Sequence, residues 1–142
     1  MNDTVKLLRE CNAGIKMGES ALERVIPTTE SEQLKDMLNA CKDEHATLGD
    51  RTHSMLIRHG ADTKEPHAIA RMMSDAKICT RLAMCESDHS VASLMTDGCN
   101  MGVKSLSKYL NRYKGASPEA KDIARKLIES ESTLSINMRP FL

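Results

Sequence analysis

The amino-acid sequence predicts an all-α fold, an antiparallel four-helix bundle made of two helical hairpins joined by a long crossover helix. Three observations predict it. Apolar residues recur at three- and four-residue spacing along every long segment, and none alternates at period two. Aromatic residues are 2% of the chain while methionines number ten. A helical core can be filled with Leu, Ile and Met, whereas a β core leans on aromatic and β-branched side chains. Finally, the breaks between segments are short, then long, then short. The chain has 142 residues, a length that suits one domain spanning 1–142.

The first helix is expected from Asp3 to Ile26, with Val5, Leu8, Ile15, Leu22 and Ile26 on one face. Asn12 and Glu19 fall on the same face. Gly14 and Gly18 sit one turn apart and permit close approach of a neighbour, at about 1 kcal/mol each in helix propensity relative to Ala. Pro27 ends the segment. Thr29 and Glu32 have capping-box spacing and open a second helix running to about His59, with Leu34, Leu38, Cys41, Leu48 and Met55 as its stripe. Gly60 is a natural stop. The turn between the two is short, so they must lie antiparallel.

A connector, Gly60 to Pro66, leads to a third helical stretch from about His67 to Glu86. A fourth runs from about His89 to Lys114, with a break near Ser87-Asp88. Ser117 caps a fifth, with Pro118 at its first position, where a missing N–H costs nothing. Ala120, Ile123, Leu127, Leu134 and Met138 carry its stripe to Pro140. A third segment of ~20 residues spans ~30 Å as a helix, enough to return the chain to the far end of a bundle.

Composition narrows the function classes. The 20 basic and 20 acidic residues cancel, which argues against nucleic acid and against an anionic membrane surface. No apolar run approaches the ~18 residues of a membrane span. The start, Met1 to Lys6, lacks a signal-peptide layout, so a cytoplasmic location is expected. The five cysteines, Cys11, Cys41, Cys79, Cys85 and Cys99, include no C-x-x-C, and reduced thiols are the expectation. There is no P-loop, nucleophile elbow or dinucleotide fingerprint, so no independent enzyme is indicated.

The segment order and lengths, with the stretch Met101 to Leu110 through Ser117-Pro118-Glu119-Ala120 to Met138, resemble small bacterial ferritin-like domains of unknown function, distant relatives of rubrerythrin and ferritin. The resemblance implies a di-iron site at the bundle centre, with one Glu from each of two helices and a Glu-x-x-His pair from each of the others. Counting outward from turns centred near Pro27-Thr28 and Gly115-Ala116 puts Asn12 level with Asp43-Glu44, and Cys99-Asn100 level with Glu131-Ser132. Both layers lie about 15 residues, or ~23 Å, from their turns and so near the bundle middle.

At those levels most of the implied ligands are replaced. Asn12 and Cys99 stand at the single-carboxylate positions. Glu44 and Glu131 remain, but their i+3 partners are Thr47 and Leu134 rather than His. His45 is adjacent and can substitute. The candidate centre is therefore Asn12, Glu44, His45, Cys99 and Glu131, either as a metal site or as a buried polar network that fixes helix register. Glu86-Ser87-Asp88-His89 and Asp50-Arg51-Thr52-His53 carry the same i, i+3 spacing, and both suit a solvated face. Glu19 suits a rim position or a cationic partner.

Three readings of function stay open. The first is a non-catalytic ferritin-like bundle with a degenerate di-iron site, acting as a binding or assembly protein and forming a homo-oligomer, a dimer. The second is a metal-binding protein in which Glu44, His45 and Glu131 hold iron or manganese, with Cys99 shifting the preference towards zinc. The third is copper(I) handling by Cys11, Cys41 and Cys99 with Met17, Met37, Met95 and Met101.

Overall fold

The structure is a computed structural model that describes residues 2–61 and 87–142. Its long helices are α1 (Asp3–Val25), α2 (Glu32–Arg58), α3 (Asp88–Arg112) and α4 (Pro118–Met138). Short 3₁₀ turns follow α1 at Ile26–Thr28 and α4 at Arg139–Phe141. No strand occurs among the described residues, and the all-α four-helix bundle is as the sequence predicts. The expected crossover helix, about His67 to Glu86, lies outside the described residues.

Each helix starts where a small polar side chain takes up orphan backbone donors. The Asn2 carboxamide oxygen accepts from the Val5 N–H, and the hydroxyls of Ser31, Ser87 and Ser117 accept from Leu34, Ser90 and Ala120. The capping box expected at Thr29 is not formed. Thr29 donates its hydroxyl to the Val25 carbonyl, closing α1, and Ser31 opens α2 instead. Gly60 ends α2 at φ 66°, with Gly60 and Ala61 N–H groups returning to Ile57 and Leu56. Only glycine adopts that left-handed turn without strain.

Contacts between the ends set the topology. The Asp88 carboxylate accepts from the Glu30 and Ser31 N–H groups at 2.8 and 2.9 Å, so α3 begins beside the α1–α2 turn. At the other end Asp3 accepts from the Gly115 N–H and the Thr4 hydroxyl from the Ser117 N–H, tying the start of α1 to the α3–α4 turn. Arg51–Asp122 and Arg58–Glu119 join the end of α2 to the start of α4. Thus α1 and α4 run one way, α2 and α3 the other, and the two hairpin turns sit at opposite ends.

The interior is divided along its length. Towards the α3–α4 turn, Leu7, Leu8, Ile15, Leu56, Ile123 and Leu127 anchor one buried apolar cluster. Towards the α1–α2 turn, Leu22, Leu34, Leu38, Val91, Leu134 and Met138 anchor a second. A fully buried Leu or Ile is worth about 1.5–3 kcal/mol, so these clusters hold the helices together. Between them, on all four helices, the apolar stripe is interrupted.

Candidate functional site

The interruption is a polar storey. On α2 the gap between Cys41 and Leu48 holds His45, which is 1% exposed; on α4 the gap between Leu127 and Leu134 holds Ser130 and Glu131. On α1 and α3 the matching gaps hold Gly18 and Gly102. These glycines make the room. A Cβ on Gly18 would stand 2.9 Å from His45 Nε2, and a Cβ on Gly102 would overlap the Glu131 carboxylate. Gly14, by contrast, has nothing near it.

The imidazole of His45 is held on both sides. Its Nδ1 lies 2.9 Å from the Cys41 carbonyl oxygen, which can only accept, so Nδ1 carries a proton. Its Nε2 faces Glu131 Oε1 at 3.6 Å. A neutral ring protonated at Nδ1 would turn a lone pair onto that carboxylate, so the charge is best met by a second proton on Nε2. Burial works against the charged ring. Hydrogen bonding with Cys41 and Glu131, and then their charges, outweigh it and push His45 up to about 10. The centre is therefore an imidazolium–carboxylate pair. Glu131 Oε2 is buried with no hydrogen-bond partner among the described residues.

Two thiols border the pair. Cys41 Sγ lies 3.6 Å from His45 Nδ1 and 3.7 Å from Ser130 Oγ. Burial, with the Glu131 and Cys41 charges, pushes the Cys99 thiol up to about 12. The ring separates the donors: Cys41 is at its Nδ1 edge and Glu131 at its Nε2 edge. Among the described residues no three His, Cys, Asp or Glu side chains converge on a point that can hold a metal ion.

Of the residues expected at the centre, the structure brings together His45, Cys99 and Glu131. Glu44 is exposed. Neighbouring residues on a helix point about 100° apart, and His45 takes the inward direction. Asn12 is buried but level with Gly49 to His53, on a groove between α1 and α2. The count from Pro27-Thr28 misplaced it. The 3₁₀ turn and the extended residues 29–31 climb past the end of α1, so α2 starts higher and Gly18, not Asn12, is level with His45. The sequence reading does not assign Ser130, Gly18 or Gly102 to this centre, and it brings Cys41 there only for copper(I) handling. Mid-helix glycines at matching levels were the available signal.

The cysteine-methionine arrangement also divides. Cys41 and Cys99 belong to the cluster near the α1–α2 turn and Cys11 to the other, where burial and then the Glu10 charge push its thiol up to about 12. Met101 is 60% exposed. Of the i, i+3 pairs, Glu86 lies outside the described residues, and Asp50 and His53 border the α1–α2 groove. No helix among the described residues is long and apolar enough to cross a membrane.

No protein-family model matches the chain, and no curated protein matches it. Among solved structures it is similar to the crystal structure of a DUF305 fragment from Deinococcus radiodurans, with a TM-score of 0.77 and 16% sequence identity, over 99% of this chain and 95% of that one. At that identity the likeness shows the fold alone, that of an all-helical domain of unknown function.

Proposed function

We propose that this chain is a non-catalytic bundle of ferritin-like descent, acting as a binding or assembly protein, in which a proton on His45 stands where a metal ion once balanced carboxylate charge. One observation carries the reading. At the central storey α1 and α3, the helices that resemblance would have supply single carboxylates, present Gly18 and Gly102, and the space is filled by the His45 ring and the Glu131 carboxylate. Such a centre keeps one buried negative charge and one positive one. Among the described residues, no three His, Cys, Asp or Glu side chains are grouped so as to hold a metal ion there.

A buried pair of this kind adds little stability over a well-packed apolar replacement, yet removing one partner costs roughly 3–5 kcal/mol. It acts by allowing only the helix register in which the two groups meet. A bundle so specified is a scaffold, and its outer faces are left for partners or for a second copy of the chain.

The test is elemental analysis of protein expressed in metal-supplemented medium, with thermal unfolding before and after chelation. Below about 0.2 metal per chain, with an unfolding midpoint that chelation leaves in place, is the expected result. Near-stoichiometric iron, manganese, zinc or copper that is lost in a His45→Ala variant overturns the reading. Light scattering is expected to find a dimer, and a monomer at every concentration removes the assembly part.

A further inference from the structure

The sulfur of Cys41 has a hydrogen-bonding group against it from each of two helices. His45 Nδ1, one turn along α2, lies 3.6 Å away, and Ser130 Oγ, on α4, lies 3.7 Å away. The Nδ1–H is directed at the Cys41 carbonyl oxygen and is shared with the sulfur. Cys41, His45 and Ser130 are 5%, 1% and 5% exposed, so water scarcely screens these contacts. Beyond the ring stands Glu131, 8% exposed, whose Oε2 is buried with no hydrogen-bond partner among the described residues.

A neutral thiol gains little from such neighbours, because its sulfur is a weak acceptor. A sulfur that carries negative charge gains much more, and the thiolate is the form that attacks an electrophile. The His45 imidazolium already holds both its protons, so it acts through its charge and its Nδ1–H and takes no proton from the thiol. Cys11 and Cys99 provide the contrast. Burial first, then neighbouring negative charge, pushes each up to about 12, so both stay protonated at neutral pH. Little of Cys41 reaches the surface, so a reagent that gets to it is small. The unpartnered Glu131 oxygen gives the storey one acceptor to spare for a small guest bearing a hydroxyl.

We propose that Cys41 is a peroxide-sensitive modification site, oxidised by hydrogen peroxide to a sulfenic acid, with His45 and Ser130 as positioning residues. A sulfur lone pair attacks one peroxide oxygen, and the S–O bond forms as the O–O bond breaks. Sulfur gives up two electrons and the peroxide takes them. The thiol proton ends on the departing hydroxide, which leaves as water. The new oxygen enters a storey already filled by the His45 ring, so oxidation loosens the contact of α2 with α4. The proposal rests on the reading of His45 as an imidazolium.

The experiment uses the whole chain carrying Cys79→Ser and Cys85→Ser, which leaves Cys11, Cys41 and Cys99. The protein is exposed to dilute hydrogen peroxide at neutral pH, quenched into denaturant with dimedone, and mapped by peptide mass spectrometry. Cys41 is expected to be labelled roughly tenfold faster than Cys11 and Cys99, a preference that disappears when peroxide is added in urea. His45→Gln is expected to slow Cys41 by roughly tenfold, and Ser130→Ala by roughly threefold, with thermal unfolding confirming that each variant folds. Equal labelling of the three thiols overturns the proposal, as does a Cys41 that stays unlabelled or reacts as fast in the folded variants as in the parent. Elemental analysis of the same sample separates two failures. Metal bound at the centre removes the imidazolium reading, whereas metal-free protein without selective labelling sinks this proposal alone.

Discussion

Gly102 shows how one missing carbon shapes the centre. Its absent side chain is the space in which the Glu131 carboxylate lies. Gly102→Ala is expected to destabilise the fold by about 2–4 kcal/mol, because the carboxylate must leave its place beside His45 or α3 must move away from α4. A Glu131→Ala background removes the three atoms nearest to the added Cβ. There the same substitution should stabilise by about 0.5–1 kcal/mol, the ordinary gain of Ala over Gly in a helix. Denaturant unfolding of the four chains of this cycle measures the difference. An equal loss in both backgrounds would show that the two groups do not meet.

Between elements, the hairpins are latched by backbone donors as well as by side-chain pairs. Asp88 takes two N–H groups of the α1–α2 turn and also sits in the first turn of α3, where a negative charge is favoured. Asp88→Ala is expected to lower the urea midpoint by the equivalent of about 1–2 kcal/mol with the slope unchanged. An unchanged midpoint would show that the latch carries no load. This level of organisation was partly legible in the sequence. Ser117-Pro118 announced the start of α4, and the count about Gly115-Ala116 brought Cys99 and Glu131 to one storey because that turn is tight. The count about Pro27-Thr28 failed because residues 26–31 gain height without belonging to either helix. A level count assumes that a turn adds none. The inward direction of His45 over Glu44 was not settled by spacing alone, since both residues fit the three- and four-residue intervals between Cys41 and Leu48 and packing chooses between them.

At the scale of the whole molecule, the described residues form two apolar clusters with the His45–Glu131 pair between them. The His45 contribution is complete below its ordinary value of 6.5 and is lost as pH rises towards about 10, because the folded state holds the proton more tightly than the unfolded chain. The buried Cys11 and Cys99 thiols act in the same direction over a higher range, from 9.0 to about 12. Stability is therefore expected to decline steadily through the alkaline range. The claim beneath it is that His45 is an imidazolium at neutral pH, paired with Glu131 and with no metal. Nitrogen NMR of labelled histidine, with His45 assigned by its loss in His45→Gln, tests this most directly. Both ring nitrogens should be protonated at neutral pH and titrate together near pH 10; a ring that is neutral at that pH, or one with the signature of a metal-bound nitrogen, would contradict it.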